Sequence, residues 1–197
     1  MRPILLATTS RYKKALFERL GLTFEQAAPP YEETHDGSQS SIALAEMQAQ
    51  GKAESLAASY PGHTIIGGDQ VLDLEGEVFT KPGTTDAAVT QLLKLAGKTH
   101  ALHTAFCIHV PEEERTITRT VSAFLSFHAD LSEPWLHQMV TQDGSQDCVG
   151  GYKYESMGLF LMKKVETDDV NAIVGLPLMA LIEELALLGY FPGRFQG

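Results

Sequence analysis

Pro3 to Thr8 is a short apolar run that ends in a Thr-Thr-Ser turn, and Ser10 stands where an N-cap would open a helix running to about Leu20 and stopped by Gly21. A buried strand feeding directly into a helix demands a sheet with helices packed on it. The rest of the chain repeats the theme. A polar, Pro-containing stretch from Pro29 to Gln39 precedes a predicted helix over about Ser41 to Tyr60, ended by Pro61 and Gly62. Thr64 to Leu72 is strand-like, turns at Glu75 and Gly76, and continues as Glu77 to Phe79, which predicts a hairpin.

Thr84 or Thr85 caps a third predicted helix ending near Gly97. Two β-rich runs follow, His100 to Val110 and Thr116 to Phe127, joined by a turn over Pro111 to Arg115. A short helix near Ser132 to Val140, a turn at Gly150 and Gly151, a strand near Leu159 to Val165 and a helix from about Leu178 complete the pattern. Helices interleaved with strands and hairpins predict an α/β protein with a mixed sheet. With 197 residues, 44% hydrophobic and 20% charged, and no linker or repeat, the expectation is a single domain over residues 1–197.

Composition narrows the function. Fifteen Lys and Arg against 25 Asp and Glu give a formal charge of −10, which disfavours a nucleic-acid groove or an anionic membrane surface as partner. Cys107 and Cys148 form neither a disulfide framework nor a metal-spaced cluster, so a reducing, cytoplasmic setting is expected. The start lacks a secretory pattern, and the apolar stretch Ile173 to Phe191 is interrupted by Gly175, Pro177, Glu183 and Glu184, so it reads as core rather than a membrane span. His100, His103 and His109 share a predicted strand without metal spacing, and neither a Walker loop nor a dinucleotide glycine fingerprint is present.

Against that acidic background the first 17 residues carry Arg2, Arg11, Lys13 and Lys14 and no acid, a local charge of +4. Cations in the first turn of a helix oppose its macrodipole, whereas an anion there would be held by backbone N–H groups, the Ser10 hydroxyl and the lysines together. The same charges would also suit a solvated basic turn. Lys52 lies beside the apolar stripe of Ala45, Ala49 and Leu56, either snorkelling along it or aimed into a cleft. Asp69, inside an apolar strand and after Gly67 and Gly68, is either buried and paired or placed at a cleft edge. Glu33, next to Glu32, is a candidate to join Asp69 as an oxygen ligand of Mg²⁺ or Mn²⁺, and Lys81 adds a cation after the hairpin; alone, each reads equally as a solvated surface charge.

Six segments, taken in order, resemble the Maf family of nucleotide pyrophosphatases, relatives of the inosine-triphosphate pyrophosphatase fold. They are ILLATTSRYKKALFERLGLTFE, AQGKAESLA around Lys52, IIGGDQV around Asp69, TKP at Lys81, GGYKYESMG around Glu155 and VNAIVGLPL. The family's usual Ser-Pro-Xaa-Arg-Arg reads Ser10-Arg11-Tyr12-Lys13-Lys14 here, which keeps the cationic character and loses the bidentate arginine geometry. The resemblance implies an elongated mixed sheet flanked by helices, two lobes with a cleft, and a homodimer. It also implies hydrolysis of a nucleoside triphosphate to monophosphate and pyrophosphate with a divalent cation, Asp69 as general base, Glu33 and Asp69 near the metal, and Ser10, Lys13, Lys14, Lys52 and Lys81 on the triphosphate.

Residues equivalent to Tyr12, Gln70 and Glu155 are associated in that family with the choice of base, and this combination resembles the 7-methyl-GTP branch rather than the dTTP and UTP branch, which tends to carry Arg, Thr and Gln. The chemistry agrees: N7-methylation makes guanine cationic, which favours stacking on Tyr12, and Glu155 can accept from guanine N1–H and N2–H₂. A pyrimidine or broad modified-nucleotide pyrophosphatase, and a non-catalytic nucleotide-binding regulator of septum formation, are the alternatives.

Overall fold

The computed structural model describes residues 1–35 and 37–191. Its elements in chain order are β1 (Ile4–Ala7), α1 (Arg11–Glu18), β2 (Phe24–Ala27), α2 (Ser41–Glu54), β3 (Thr64–Leu74), β4 (Glu77–Phe79), α3 (Thr85–Leu95), β5 (Thr99–Val110), β6 (Arg115–Phe127), α4 (Glu133–Asp143), β7 (Met162–Thr167), α5 (Val170–Val174) and α6 (Leu178–Leu187), with short 3₁₀ turns between some of them. The strands form one seven-stranded sheet in the order β2-β1-β3-β5-β6-β7, with β4 also on β3. Both neighbours of β1 are parallel to it and every other pair is antiparallel, so the sheet is mixed, as the sequence pattern predicts.

The long strands β5 and β6 pair from Thr99 to Val110, a span of about 40 Å at 3.3–3.4 Å per residue, and carry the sheet through two packing regions. At one end α1 and α6 cover one face through Phe17, Ile66, Phe106 and Leu181, and α2 covers the other through Ala45, Ala49, Ala53, Ile65 and Cys107. At the far end α3 and α4 pack through Leu92 and Met139 on Leu72, Leu125 and Phe127.

Between the two regions the sheet has a gap. β1 pairs with β3 as far as Ala7 and Gly67, and β4 takes up the same edge only from Leu72 and Phe79. Residues 68–71 of β3 therefore have β5 on one side, with Asp69 opposite Ala105 and Gln70 opposite Thr104, and no ladder partner among the described residues on the other.

Several local expectations need correction. α2 stops at Glu54 rather than near Tyr60, because the Ser55 hydroxyl donates to the Lys52 carbonyl at 2.9 Å and the chain tightens into i→i+3 turns. The predicted strand over Leu159 to Val165 is a 3₁₀ turn over Met157–Leu161 followed by β7, with Leu161 buried and Leu159 and Phe160 exposed. Sequence reading missed β2, a four-residue edge strand without apolar alternation, and α5, a single turn capped by Asp169. No helix among the described residues is long and apolar enough to cross a membrane.

Candidate active site

The gap in the β3 edge opens into a cavity of about 790 Å³ lined from both packing regions, a size suited to a nucleotide-sized ligand. What brings charged groups to it is close packing of small residues. The buried alanines at 45, 49 and 53 let α2 lie directly on the sheet, and a side chain at Gly67 would collide with the Ala49 carbonyl. Lys52, in the last turn of α2, is thereby carried over the open edge of β3.

There the Lys52 ammonium bridges two carboxylates, with Nζ 2.6 Å from Asp69 Oδ1 and 2.5 Å from Glu33 Oε1. The Lys52 and Asp69 side chains are only 13% and 14% exposed, so the pair is shielded on both sides, whereas Glu33 reaches in from solvent at 57%. Burial works against the Lys52 charge, but Asp69 and Glu33 outweigh it and hold the ammonium above its ordinary pKa. Glu33 responds in the opposite sense: burial would raise its pKa, and Lys52, Lys81 and Lys13 together bring it below the ordinary value.

Lys13 arrives from the other face of the sheet. Ser10 caps α1 and its hydroxyl accepts from Lys13 N–H at 3.4 Å, while Thr8 Oγ1 accepts from Ser10 N–H at 3.0 Å, so the turn after β1 aims the first helical turn at the gap. The Lys13 side chain threads between two glycines: a Cβ on Gly68 would lie 3.4 Å from its Cε, and one on Gly175 would lie 3.6 Å from its Nζ. Burial pushes the Lys13 pKa down to about 8; Asp69 and Glu33 oppose the fall and Lys52 and Lys81 add to it. These mutual effects place Lys13, Lys52, Lys81, Asp69 and Glu33 in one electrostatic cluster.

Lys14 is not brought to the cavity. One residue on from Lys13 it is turned by about 100° around α1, and its ammonium sits 3.7 Å from Glu18 on the exposed side of the helix. Of the two lysines expected on the triphosphate, Lys13 is placed in the cavity and Lys14 on the exposed side of α1.

Gln70 lines the cavity, but its amide nitrogen is already engaged. Nε2 donates to Ala172 O at 2.8 Å, Ile173 O at 3.0 Å and Thr104 Oγ1 at 3.0 Å. Those carbonyls are presented by α5, which the buried Asp169 holds by accepting from Asn171 N–H at 2.9 Å, the Asn171 side chain at 2.7 Å and Met179 N–H at 2.7 Å. The VNAIVGLPL segment is thus tied to the strand that carries Asp69.

The other end of the cavity is built on Tyr12 and the loop after α4. The Tyr12 hydroxyl accepts from Arg11 Nη2 at 2.8 Å, and its ring has Arg11 Cζ at 4.9 Å and Lys153 Nζ at 5.7 Å from the centroid. Glu155 is exposed on the same wall. Cys148 stands among them: burial pushes its thiol up, a hydrogen bond with Tyr12 and the charges of Lys153 and Arg11 pull it down, and Glu155 pushes it up again. Beneath the loop, the buried Tyr152 hydroxyl is hydrogen-bonded to His100 Nε2 at 2.8 Å and anchors the wall to β5.

Sequence reading missed Tyr31, Cys148 and Lys153 as lining residues. For Lys153 a signal existed, since it lies two positions before Glu155 in the GGYKYESMG segment. Nothing in the sequence marks Tyr31.

Among the described residues no group of three His, Cys, Asp or Glu is placed to hold a metal. Asp69 and Glu33 nevertheless converge on one cation, the Lys52 ammonium, with hard oxygen atoms at 2.5–2.6 Å from it. That donor set fits a hard divalent ion completed by water and phosphate oxygens, the common arrangement for Mg²⁺.

The family model described as Maf-like protein matches residues 3–188. A protein of Syntrophotalea carbinolica named 7-methyl-GTP pyrophosphatase is 38% identical over 198 residues, covering 100% of this chain and 98% of the relative. Proteins with the same name from Colwellia psychrerythraea and Pseudomonas aeruginosa are 36% identical over 182 residues and 34% identical over 185 residues. They cover 92% and 94% of this chain, and 90% and 96% of the respective relatives.

Proposed function

The chain belongs to the Maf-like protein family, and on that premise we propose that it is a nucleoside triphosphate pyrophosphatase acting on 7-methyl-GTP, with 7-methyl-GMP and pyrophosphate as products. The observation that carries this reading is the Lys52 bridge between Asp69 and Glu33 at the open edge of β3, with Lys13 and Lys81 in the same electrostatic cluster. The relatives named for that substrate, similar over nearly the whole chain, support the choice of base.

In this reading the triphosphate lies along the gap, where Lys13, Lys52 and Lys81 meet its negative charge and the first turn of α1, capped by Ser10, offers backbone N–H groups. Asp69 accepts a proton from the water whose oxygen forms a bond to the α-phosphorus, and the bond from that phosphorus to the bridging oxygen breaks. The lysines neutralise the charge that accumulates on departing pyrophosphate. Asp69 and Glu33 would hold a divalent cation, Mg²⁺ or Mn²⁺, which when bound supplies further charge neutralisation and lowers the pKa of coordinated water. Lys52, held at the same carboxylates, presents its ammonium at the edge of the gap where the phosphates lie.

Tyr12 offers an aromatic face to a cationic base, worth about 0.5–2 kcal/mol depending on desolvation, and Glu155 accepts from the guanine edge. A homodimer in the cytoplasm belongs to the same reading. The test is pyrophosphate release from a panel of nucleotides in the presence of Mg²⁺ or Mn²⁺. The expected result is that 7-methyl-GTP is turned over best; equal or better turnover of UTP and dTTP would reject the base assignment, and absence of turnover on the whole panel would leave a nucleotide-binding regulator.

A further inference from the structure

The guanine edge presents three groups in a row: O6, an acceptor, then N1–H and N2–H₂, both donors. Glu155 can serve the two donors but, as a carboxylate, has nothing to offer O6. A site that reads guanine therefore needs a donor next to Glu155. Among the described residues the cavity is lined by the cations Arg11, Lys13, Lys52, Lys81 and Lys153. Lys13, Lys52 and Lys81 belong to the cluster around Asp69, and Arg11 is hydrogen-bonded to the Tyr12 hydroxyl.

Arg11 and Lys153 both keep donor protons beyond one internal bond, and of the two it is Lys153 that shares a short segment with Glu155. Its ammonium donates to the carbonyl of Asp143, the last residue of α4, and stands 5.7 Å from the centre of the Tyr12 ring on which the base would stack. One internal acceptor uses one of the three ammonium protons. Glu155 and Tyr12 line the same cavity as Lys153, and Lys153 and Glu155 act with opposite sign on the Cys148 thiol. The segment that carries them is held in a tight turn: Ser156 N–H and Gly158 N–H both donate to Lys153 O, at 3.2 and 2.9 Å, and the Ser156 hydroxyl donates to Asp143 Oδ1 at 2.6 Å. A side chain at Gly158 would collide with the Lys153 carbonyl, so the glycine is what lets the turn close.

We propose that Lys153 is a specificity-determining residue that donates to guanine O6, so that Lys153 and Glu155 together read the acceptor-donor-donor edge. The pairing also rejects adenine, whose amino group at C6 would bring a donor against the ammonium. This inference rests on the guanine-nucleotide reading above and adds a residue and an atom to it.

The experiment compares kcat/KM for 7-methyl-GTP and for its 6-thio analogue, in which sulfur, a weak acceptor, replaces O6. The comparison is made in the native protein and in Lys153→Met, with thermal melting as a check on folding. The expected result is that the native protein prefers the oxo substrate by about 10- to 100-fold, the range of a charge-assisted hydrogen bond, and that Lys153→Met removes most of that preference. A lysine that only caps α4 would lower Tm and slow both substrates alike, so an unchanged oxo-to-thio ratio in the variant overturns the proposal. If Lys153→Met does not fold, Lys153→Gln, which keeps a neutral donor for the Asp143 carbonyl and removes the charge, is expected to reduce the oxo preference to that of an uncharged hydrogen bond, and a ratio unchanged from the native protein overturns the proposal. Native protein that favours UTP over 7-methyl-GTP would instead defeat the underlying substrate reading, so the two failures are distinguishable.

Discussion

Tyr31 packs against the bare backbone of Gly51, its ring filling the space that any side chain at position 51 would need. The contact sits one residue before Lys52 and two residues before Glu33 along the two chain segments, so it sets the approach of Glu33 to the Lys52 ammonium. Gly51→Ala forces Tyr31 off the helix. Alanine is the better helix former by about 1 kcal/mol, yet overpacking at such a contact costs about 1–3 kcal/mol. The expected outcome is a Tm change of a few degrees and a much larger loss of kcat/KM, read from melting curves and pyrophosphate release on the same preparation.

Asp69→Asn removes the proposed base while keeping the shape of the side chain. Lys52 retains Glu33 as a partner at 2.5 Å, so no ammonium is left stranded and the fold is expected to persist. General-base catalysis contributes about 10²–10⁴-fold, and turnover should fall by that order. Activity within a few-fold of the native protein would place the base elsewhere.

Lys13 predicts a pH dependence. Its folded pKa, about 8, lies below the ordinary 10.5, because burial penalises the charged form. The unfolded chain therefore binds more protons at this position between those values, so the Lys13 contribution makes the protein more stable as pH rises from about 8 toward 10.5. Phosphate binding has the opposite interest, since only the ammonium attracts it. A triphosphate should draw a proton onto Lys13 at pH 8 and above, visible as proton uptake by calorimetry in buffers of different ionisation enthalpy. Lys13→Arg, always charged, is expected to abolish that uptake and flatten the rise of KM above pH 8; uptake unchanged in the variant would assign it to another group.

Gln70→Glu tests whether Gln70 is a tether. The replacement sets a carboxylate against the Ala172 and Ile173 carbonyls, two acceptors that the amide now satisfies at 2.8 and 3.0 Å. The Ala172 carbonyl keeps Thr104 Oγ1 and Gly175 N–H as donors, but a buried carbonyl that loses its donor, as the Ile173 carbonyl loses the amide, costs about 1–3 kcal/mol, and a chain of this size loses about 2–4 °C in Tm for each kcal/mol. A melting temperature unchanged in the variant would show that the amide serves the ligand rather than α5.

The sequence alone determined the order of most elements, the mixed sheet, and the residues whose types suit phosphate chemistry. Ser10 and Thr84 are caps because a short hydroxyl side chain satisfies backbone donors locally, and the apolar runs of β3, β5 and β6 are strands because both their length and their β-branched content are legible without a partner. Short elements escaped: β2 gains its definition from β1, and α5, a single turn behind its Asp169 cap, from Gln70, 102 positions from Ala172 in sequence.

What tertiary structure decided is which charges meet. Lys13 and Lys14 are indistinguishable in composition and adjacent in sequence, yet only Lys13 enters the cavity, since a turn of about 100° per residue separates their directions and Gly68 and Gly175 leave room on one side. In sequence Lys52 is either snorkelling or aimed into a cleft, and α2, riding on alanines over Gly67, decides it by setting the ammonium between Asp69 and Glu33. The gap in the β3 edge is set by where β1 ends and β4 begins, a matter of strand register rather than of the residues within the gap. Local propensity acts over a few residues; the convergence of cations from both faces of one strand depends on packing distances that only the assembled sheet defines.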